Sequence, residues 1–255
     1  MFRKIWLIAL NTFRETVRDK LLYSLIIFAV LSIAASYLAG TVSLGQDVRV
    51  IENFGLTAMF VFLLIITIFI GTQLVYREIE RRTIYLILPK PVNRETFYLG
   101  KFVGLCLTIT VAGLIMGAMF IGLIYYKAHY IPTSAVWAIL FTILEMWFLT
   151  AIGLMFSSFT SPIASAVYTF CLVLIGHSSS TIWYIIKKAP NNYVKYALDV
   201  VYYGFPNLEK FNLRNEVAFN VTLAPTQYLS SLTYLIIYMA ALLFFGLAIF
   251  RRNEF

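Results

Sequence analysis

Charge is what this chain has least of. Asp, Glu, Lys and Arg together make up 13% of its 255 residues, about half of the roughly 25% of a soluble domain. Hydrophobic residues make up 61%, and the mean hydropathy is +0.83, which places the chain among membrane proteins. With two cysteines, Cys106 and Cys171, both inside apolar runs, a disulfide framework is excluded as an organising device. Two histidines, His129 and His177, stand too far apart for any metal-ligand spacing, so no metal site is expected. The net charge of +8 would point to nucleic acid in a soluble chain. In a chain this apolar it reads instead as cationic loops at an anionic lipid leaflet, and no nucleic-acid partner is expected.

Enzyme signatures are lacking as well. Gly100-Lys101 has the look of the end of a phosphate-binding loop, but Glu95 stands where its first glycine must be and Phe102 replaces the Ser or Thr. Neither GxSxG nor HExxH occurs. No catalytic residue, cofactor or bound nucleotide is therefore expected of this chain. There is also no internal repeat, low-complexity tract or separate soluble domain.

What is present is a series of long apolar runs, at about 21–40, 54–75, 102–126, 136–157, 162–186 and 228–250. Each is near or above the roughly 20 residues that carry a helix across hydrocarbon. The fold expected is an all-α membrane protein of six transmembrane helices forming one transmembrane domain over 1–255. Ahead of the first run, Phe2, Trp6, Leu10, Phe13 and Val17 recur at helical spacing among Arg3, Lys4, Arg14, Arg18 and Lys20. That pattern predicts an amphipathic elbow helix over 1–20 lying along the membrane surface. A signal peptide fits less well, because the charges recur to residue 20 and no small-residue cleavage site follows.

An even number of spans puts both ends on one side. With the N-terminus inside, 13 of the 20 basic residues fall in cytoplasmic segments, so the positive-inside rule favours both termini in the cytoplasm. Ser161-Pro162, at the end of the short SSFTSP turn, reads as an N-cap followed by a first-turn proline. The long segment 187–227 then lies outside. Its Tyr193, Tyr196, Val200 and Tyr203 spacing, broken by Pro206 and Pro225, suits one or two short helices at the outer interface that dip toward the membrane.

Between the second and third runs stands the one charge-dense segment, 77–101, REIERRTIYLILPKPVNRETFYLGK. Arg77, Glu78, Glu80, Arg81 and Arg82 continue the preceding helical pattern, and Pro89 and Pro91 stop it. Asn93 is placed to cap a new helix from Arg94. A helix–stop–helix leaving the membrane suits a lever for a soluble partner. Ile84, Leu86 and Ile87 supply an apolar ridge, and Arg81 and Arg82 supply orienting charge. The bland alternative is a surface helix anchored at the headgroups.

Within the spans, Glu145 and the run His177, Ser178, Ser179 are the polar features. An exposed charge at Glu145 would cost about 3 kcal/mol or more. Glu145 and His177 are each nine positions from the outer ends of their spans, roughly 14 Å deep at 1.5 Å per residue. Equal depth permits a contact between them. Two readings follow: helix–helix packing glue, or a polar lining on a substrate path. The third span carries Gly104, Gly113, Gly117 and Gly122. Its GLIMG at 113–117 suits close helix packing, or a seam between two copies.

Taken together, the arrangement resembles the permease subunits of ATP-binding-cassette transporters, specifically the ABC type-2 exporter family, over nearly the whole chain. The segment 77–101 carries the resemblance through Glu78, Glu80, Thr83, Leu86, Leu88, Pro91, Val92, Arg94, Gly100 and Lys101, with Arg82 standing where the family often has Gly. A second likeness is IGLMFSSFTSPIASA at 152–166. The resemblance implies that 78–92 forms a coupling helix docked on a cytoplasmic ATPase, with the elbow helix alongside. It further implies two ATPase copies that hold ATP and Mg, a second permease copy forming a homodimer, outward transport, residence in the inner (plasma) membrane, and room for an outer-side accessory protein. A force-transmitting variant without a wide channel belongs to the same reading. The alternative of another class is an ATPase-independent membrane scaffold or intramembrane enzyme.

Overall fold

The computed structural model describes residues 2–42, 47–80, 93–188, 192–214, 217 and 224–252. Among them there is no strand. The helices are α1 (Phe2–Val17), α2 (Lys20–Val42), α3 (Asp47–Glu80), α4 (Arg94–Ala128), α5 (Thr133–Ser157), α6 (Pro162–His177), α7 (Ser179–Lys188), α8 (Asn192–Gly204) and α9 (Pro225–Arg252), with a 3-10 turn at Leu208–Phe211. Among the described residues five helices are long and apolar enough to cross a membrane, or six where the bent pair α6–α7 is counted as one span. The chain is an all-α membrane protein.

The bundle is built around α5. Of its spanning window 72% is buried, against 22% for α2 and 11% for α9. α3, α4, α6 and α9 all pack on α5, while α2 lies against α3 and α1 along α4. Apolar residues all round α5 suit this central position, because a helix without a polar face must be enclosed by protein or lipid. Burial alone does not hold such helices together in lipid, so close backbone approach matters. At Gly113 and Gly117 a Cβ atom would come within 2.6 Å of Ile143 and 2.8 Å of Ile139. The GxxxG pair therefore seats α4 against α5 of the same chain, and a seam between copies at this motif is not where those glycines are used.

A second small-residue pair seats α1. A Cβ on Gly100 would meet Ile8 at 2.7 Å, and one on Gly104 would meet Thr12 at 2.6 Å. α1 thus docks by Ile8, Ala9, Thr12 and Thr16, of which the last three are buried. Its aromatic stripe turns away, with Phe2 and Trp6 exposed. That is the geometry of a helix fixed to the bundle on one face and offering the other to lipid.

Local signals set the helix boundaries. Asn93 stands in extended conformation ahead of α4, although its side chain makes no capping bond. α4 ends at His129, which takes the left-handed conformation (φ 58°) and donates its N–H to the Tyr125 carbonyl, one of the ways a helix C-terminus satisfies its last carbonyls. Ser161 Oγ accepts from the Ala164 N–H, and Pro162 opens α6.

The run at 162–186 departs from a single straight helix. It bends by 54° between His177 and Ser179. Serine side chains compete for backbone groups in helix interiors, and here Ser178 Oγ donates to the Leu174 carbonyl and Ser179 Oγ to the Gly176 carbonyl. α7 then pairs with α8 through a Trp183–Tyr202 stack at 5.2 Å. Tyr193, Tyr196, Val200 and Tyr203 on α8 all face outward. After α8 the chain re-enters the bundle, where Leu208 and Phe211 of the 3-10 turn are buried.

Candidate functional site

Glu145 sits 12 residues into α5, about 18 Å along it, with 1% of its surface exposed. α6 runs back beside it and brings His177 Nε2 to 3.1 Å from Glu145 Oε1. The angles fall short of a linear hydrogen bond, and His177 Nδ1 has no partner among the described residues. The contact that equal depth permits is therefore made. A lone ionised carboxylate at this depth would be costly, whereas an adjoining imidazole lets the two groups hold one proton between them with no net charge.

The environment of the pair comes from segments whose roles the sequence left unassigned. Phe60 of α3 lies with its ring 5.1 Å from that of His177, and the Arg214 guanidinium stands 4.2 Å from the same phenyl ring. Such an approach suits a cation over an aromatic face. Arg214 Nε donates to Asn212 Oδ1 at 2.8 Å, and Asn212 Nδ2 donates to Glu209 Oε1 at 3.4 Å. Arg214 lies outside the spans; burial pushes its pKa down, and the Glu145 and Glu209 carboxylates oppose that shift. Glu145, His177, Arg214 and Glu209 thus form a polar line inside the bundle, the last two supplied by the connection between α8 and α9. Ser178 and Ser179 flank it, but their hydroxyls bond backbone carbonyls at the α6–α7 bend.

The 3-10 turn covers this line. A Cβ on Gly176 would meet Leu208 at 2.6 Å, so the absence of a side chain one residue before His177 is what admits the turn. Phe211 packs near Phe148 and Phe141 of α5. The Asn207 N–H donates to Tyr234 Oη at 2.8 Å, and Ser231 Oγ donates to the Lys210 carbonyl at 3.2 Å. Both bonds tie the turn to α9. No group of three or more His, Cys, Asp or Glu among the described residues is placed to hold a metal ion.

At the other end of the bundle, Glu78 and Glu80 fall on the last turn of α3 and Arg94 opens α4. Arg81, Arg82, Thr83, Ile84, Leu86, Ile87, Leu88 and Pro91 lie outside the described residues. The beginning of α4 is tied on two sides. Arg94 Nη1 donates to the Arg251 carbonyl at 3.1 Å, and Glu95 pairs with the Arg251 side chain. Lys101, 2% exposed, has its Nζ 3.6 Å from Glu15 Oε2 of α1 and 5.7 Å from the Phe97 ring. The start of α4 is therefore tied to both α1 and α9.

No curated protein matches the chain. A family model described as ABC-2 family transporter protein matches residues 6–255, which takes in most of α1, every candidate span, the 77–101 segment and the turn over Glu145 and His177. This chain, a transport permease integral to the membrane, belongs to the ABC-2 transporter family.

Proposed function

We propose that this permease works in an ATP-driven exporter, coupled through residues 78–92 to cytoplasmic ATPase subunits. The observation that carries the reading is length. α3 has 34 residues and α4 has 35, about 51 and 52 Å at 1.5 Å per residue. The hydrocarbon layer needs only about 30 Å. The apolar window of α3 ends at Thr72, so eight further residues, Gln73 to Glu80, carry the chain about 12 Å beyond it. The segment 81–92 thus joins two continuous helices, the first of which runs on past its apolar window. A stalk of that kind transmits a push without bending.

Ile84, Leu86 and Ile87 form the apolar ridge that buries against the ATPase, flanked by Arg81 and Arg82. Glu78, Glu80, Thr83, Leu88, Pro91 and Arg94 frame it. Two copies of this chain stand over two ATPases, which hold the ATP and Mg. Closure of the ATPases moves the stalk, and the ties from α4 to α1 and α9 spread that movement to the elbow and the last span. Excess basic charge on the loop side supports a topology with both termini in the cytoplasm, and the membrane of this reading is the plasma membrane. The substrate passes along the polar line that includes Glu145 and His177, outward, with Ser178 and Ser179 at the bend where the path leaves the bundle.

The test is a pair of variants, Arg81→Glu with Arg82→Glu, and Leu86→Asp alone. Each should insert in the membrane at wild-type levels and lose its ATPase on purification. Undiminished ATPase association in both variants would overturn the coupling role.

A further inference from the structure

Glu145 and His177 do more than pack. A carboxyl and an imidazole 3.1 Å apart have three proton counts. One shared proton leaves the pair neutral overall, as carboxylate with imidazolium or as carboxyl with imidazole. Losing it leaves a bare carboxylate facing Arg214, the state in which that cation is most strongly held. Gaining a second leaves carboxyl with imidazolium, a positive charge beside the Arg214 guanidinium with Glu209 as the one carboxylate near both. That last state is the unfavourable one in a low-dielectric interior, because like charges there repel strongly and neither is hydrated.

What would yield is visible in the packing. The charged groups acting on Glu145 are His177 from α6, and Arg214 and Glu209 from the segment after α8. α9 contributes the tyrosines Tyr234 and Tyr238, near Phe211 and Phe148 respectively. α3 faces His177 with Phe60, and α4 meets the turn of α5 next to Glu145 through the Trp147–Thr110 hydrogen bond; neither contact titrates. Of these elements only the segment Leu208–Arg214 is not part of a long helix. It rests on the bundle by Leu208 on Gly176, Phe211 on α5 and two hydrogen bonds to α9. It also carries Glu209 and Arg214 of the polar line.

We propose that Glu145 and His177 form a proton-binding centre, loaded from the side on which α9 begins, whose proton count decides whether the 208–214 segment stays seated. With one shared proton, Arg214 and Glu209 are held over the centre and the cover is shut. A second proton, taken from water on that side, turns the pair cationic; the segment, with Lys210 and Arg214 against the one carboxylate of Glu209, carries net positive charge, is repelled and lifts. The site then opens in acid and closes at neutral pH. The proton bonds to a lone pair of His177 or Glu145 and no other bond changes. In transport the device would gate the polar path, and in that sense it rests on the reading of these residues as that path.

Amide hydrogen exchange of the full-length permease in lipid vesicles, without any ATPase, tests it. Opening of 205–214, corrected for the intrinsic exchange rate, should rise at least tenfold as pH falls from about 7.5 to 5.5, where an imidazole changes charge. Acid on the face bearing that segment should suffice. Glu145→Gln should abolish the pH dependence, with His177→Gln as the second variant where the first does not assemble. Opening that is independent of pH in the wild type, an unchanged pH dependence in the assembled variant, or a response only to acid on the other face would each overturn the proposal. A failed path would appear differently, as normal transport in Glu145→Gln.

Discussion

Lys101 of α4 and Glu15 of α1 meet at 3.6 Å directly beside the glycines that let the two helices touch. Lys101 is almost wholly covered while half of Glu15 remains exposed, so the pair lies at the edge of the α1–α4 contact and leaves its carboxylate in reach of water. The elbow is fixed to the helix that leads out of the 81–92 segment. Coupling would be expected to depend on that attachment.

Replacing Gly104 by Val should break it. Thr12 and the Ala9 carbonyl occupy the space a side chain would need, and overpacking of this kind costs about 1–3 kcal/mol. Limited proteolysis should then release α1 from the otherwise intact protein. Gly122→Ala, where nothing lies within 4 Å of the added atom, should leave α1 protected.

The Glu95–Arg251 pair should matter for coupling and little for stability. Arg251 is 58% exposed, and ion pairs of that kind contribute at most about 1 kcal/mol. Arg251→Glu should lower transport-linked ATP hydrolysis without a comparable change in melting temperature. Exchange of the two charges, Glu95→Arg with Arg251→Glu, should recover much of that hydrolysis; an exchange that rescues nothing would mean that the backbone bond from Arg94 carries the tie instead.

Energetic coupling between Glu145 and His177 is measurable by a double-mutant cycle. Glu145→Leu or His177→Leu alone leaves a buried polar partner, and removing one member of a buried pair costs about 3–5 kcal/mol. The double variant should cost less than the two singles summed, by about 1–3 kcal/mol, the range for residues in one network. Reversible unfolding in mixed detergent gives the numbers. Strict additivity would mean that the two groups do not interact.

Phe211→Ala should be among the most damaging single changes outside the spans. Its ring is 1% exposed and packs near Phe141, Phe148 and Tyr234, and truncating such a side chain costs about 3–5 kcal/mol. Tyr196→Ala on the outward face of α8 removes no contact with the bundle and should cost far less. Thermal unfolding of both variants in the same lipid decides between them.

Much of this architecture is legible in the sequence because lipid imposes length and composition on every span. The cap at Ser161-Pro162, the helix start after Asn93 and the depth of Glu145 and His177 follow from local chemistry. The 54° bend was harder to see: the residues His177, Ser178 and Ser179 stand out as polar, but their use in satisfying carbonyls at a break depends on what packs there. Arg214, Glu209, Asn212 and Phe60 joined the site unannounced. Each lies far from Glu145 in the chain, and the Leu208–Phe211 turn that brings three of them near is too short to have a period. Gly176 was the available clue, a glycine immediately before an intramembrane histidine. Likewise GLIMG drew notice as a motif, whereas Gly100 and Gly104 were absorbed into the charged segment and the third span, although they do the same steric work for α1.

The most direct measurement is affinity purification of the chain from its native membrane in mild detergent, with mass spectrometry of what accompanies it. An ATPase recovered in equal amount, and lost from the Leu86→Asp variant, is the predicted result. The permease recovered without any ATPase, under conditions that keep a control transporter assembled, would contradict the account.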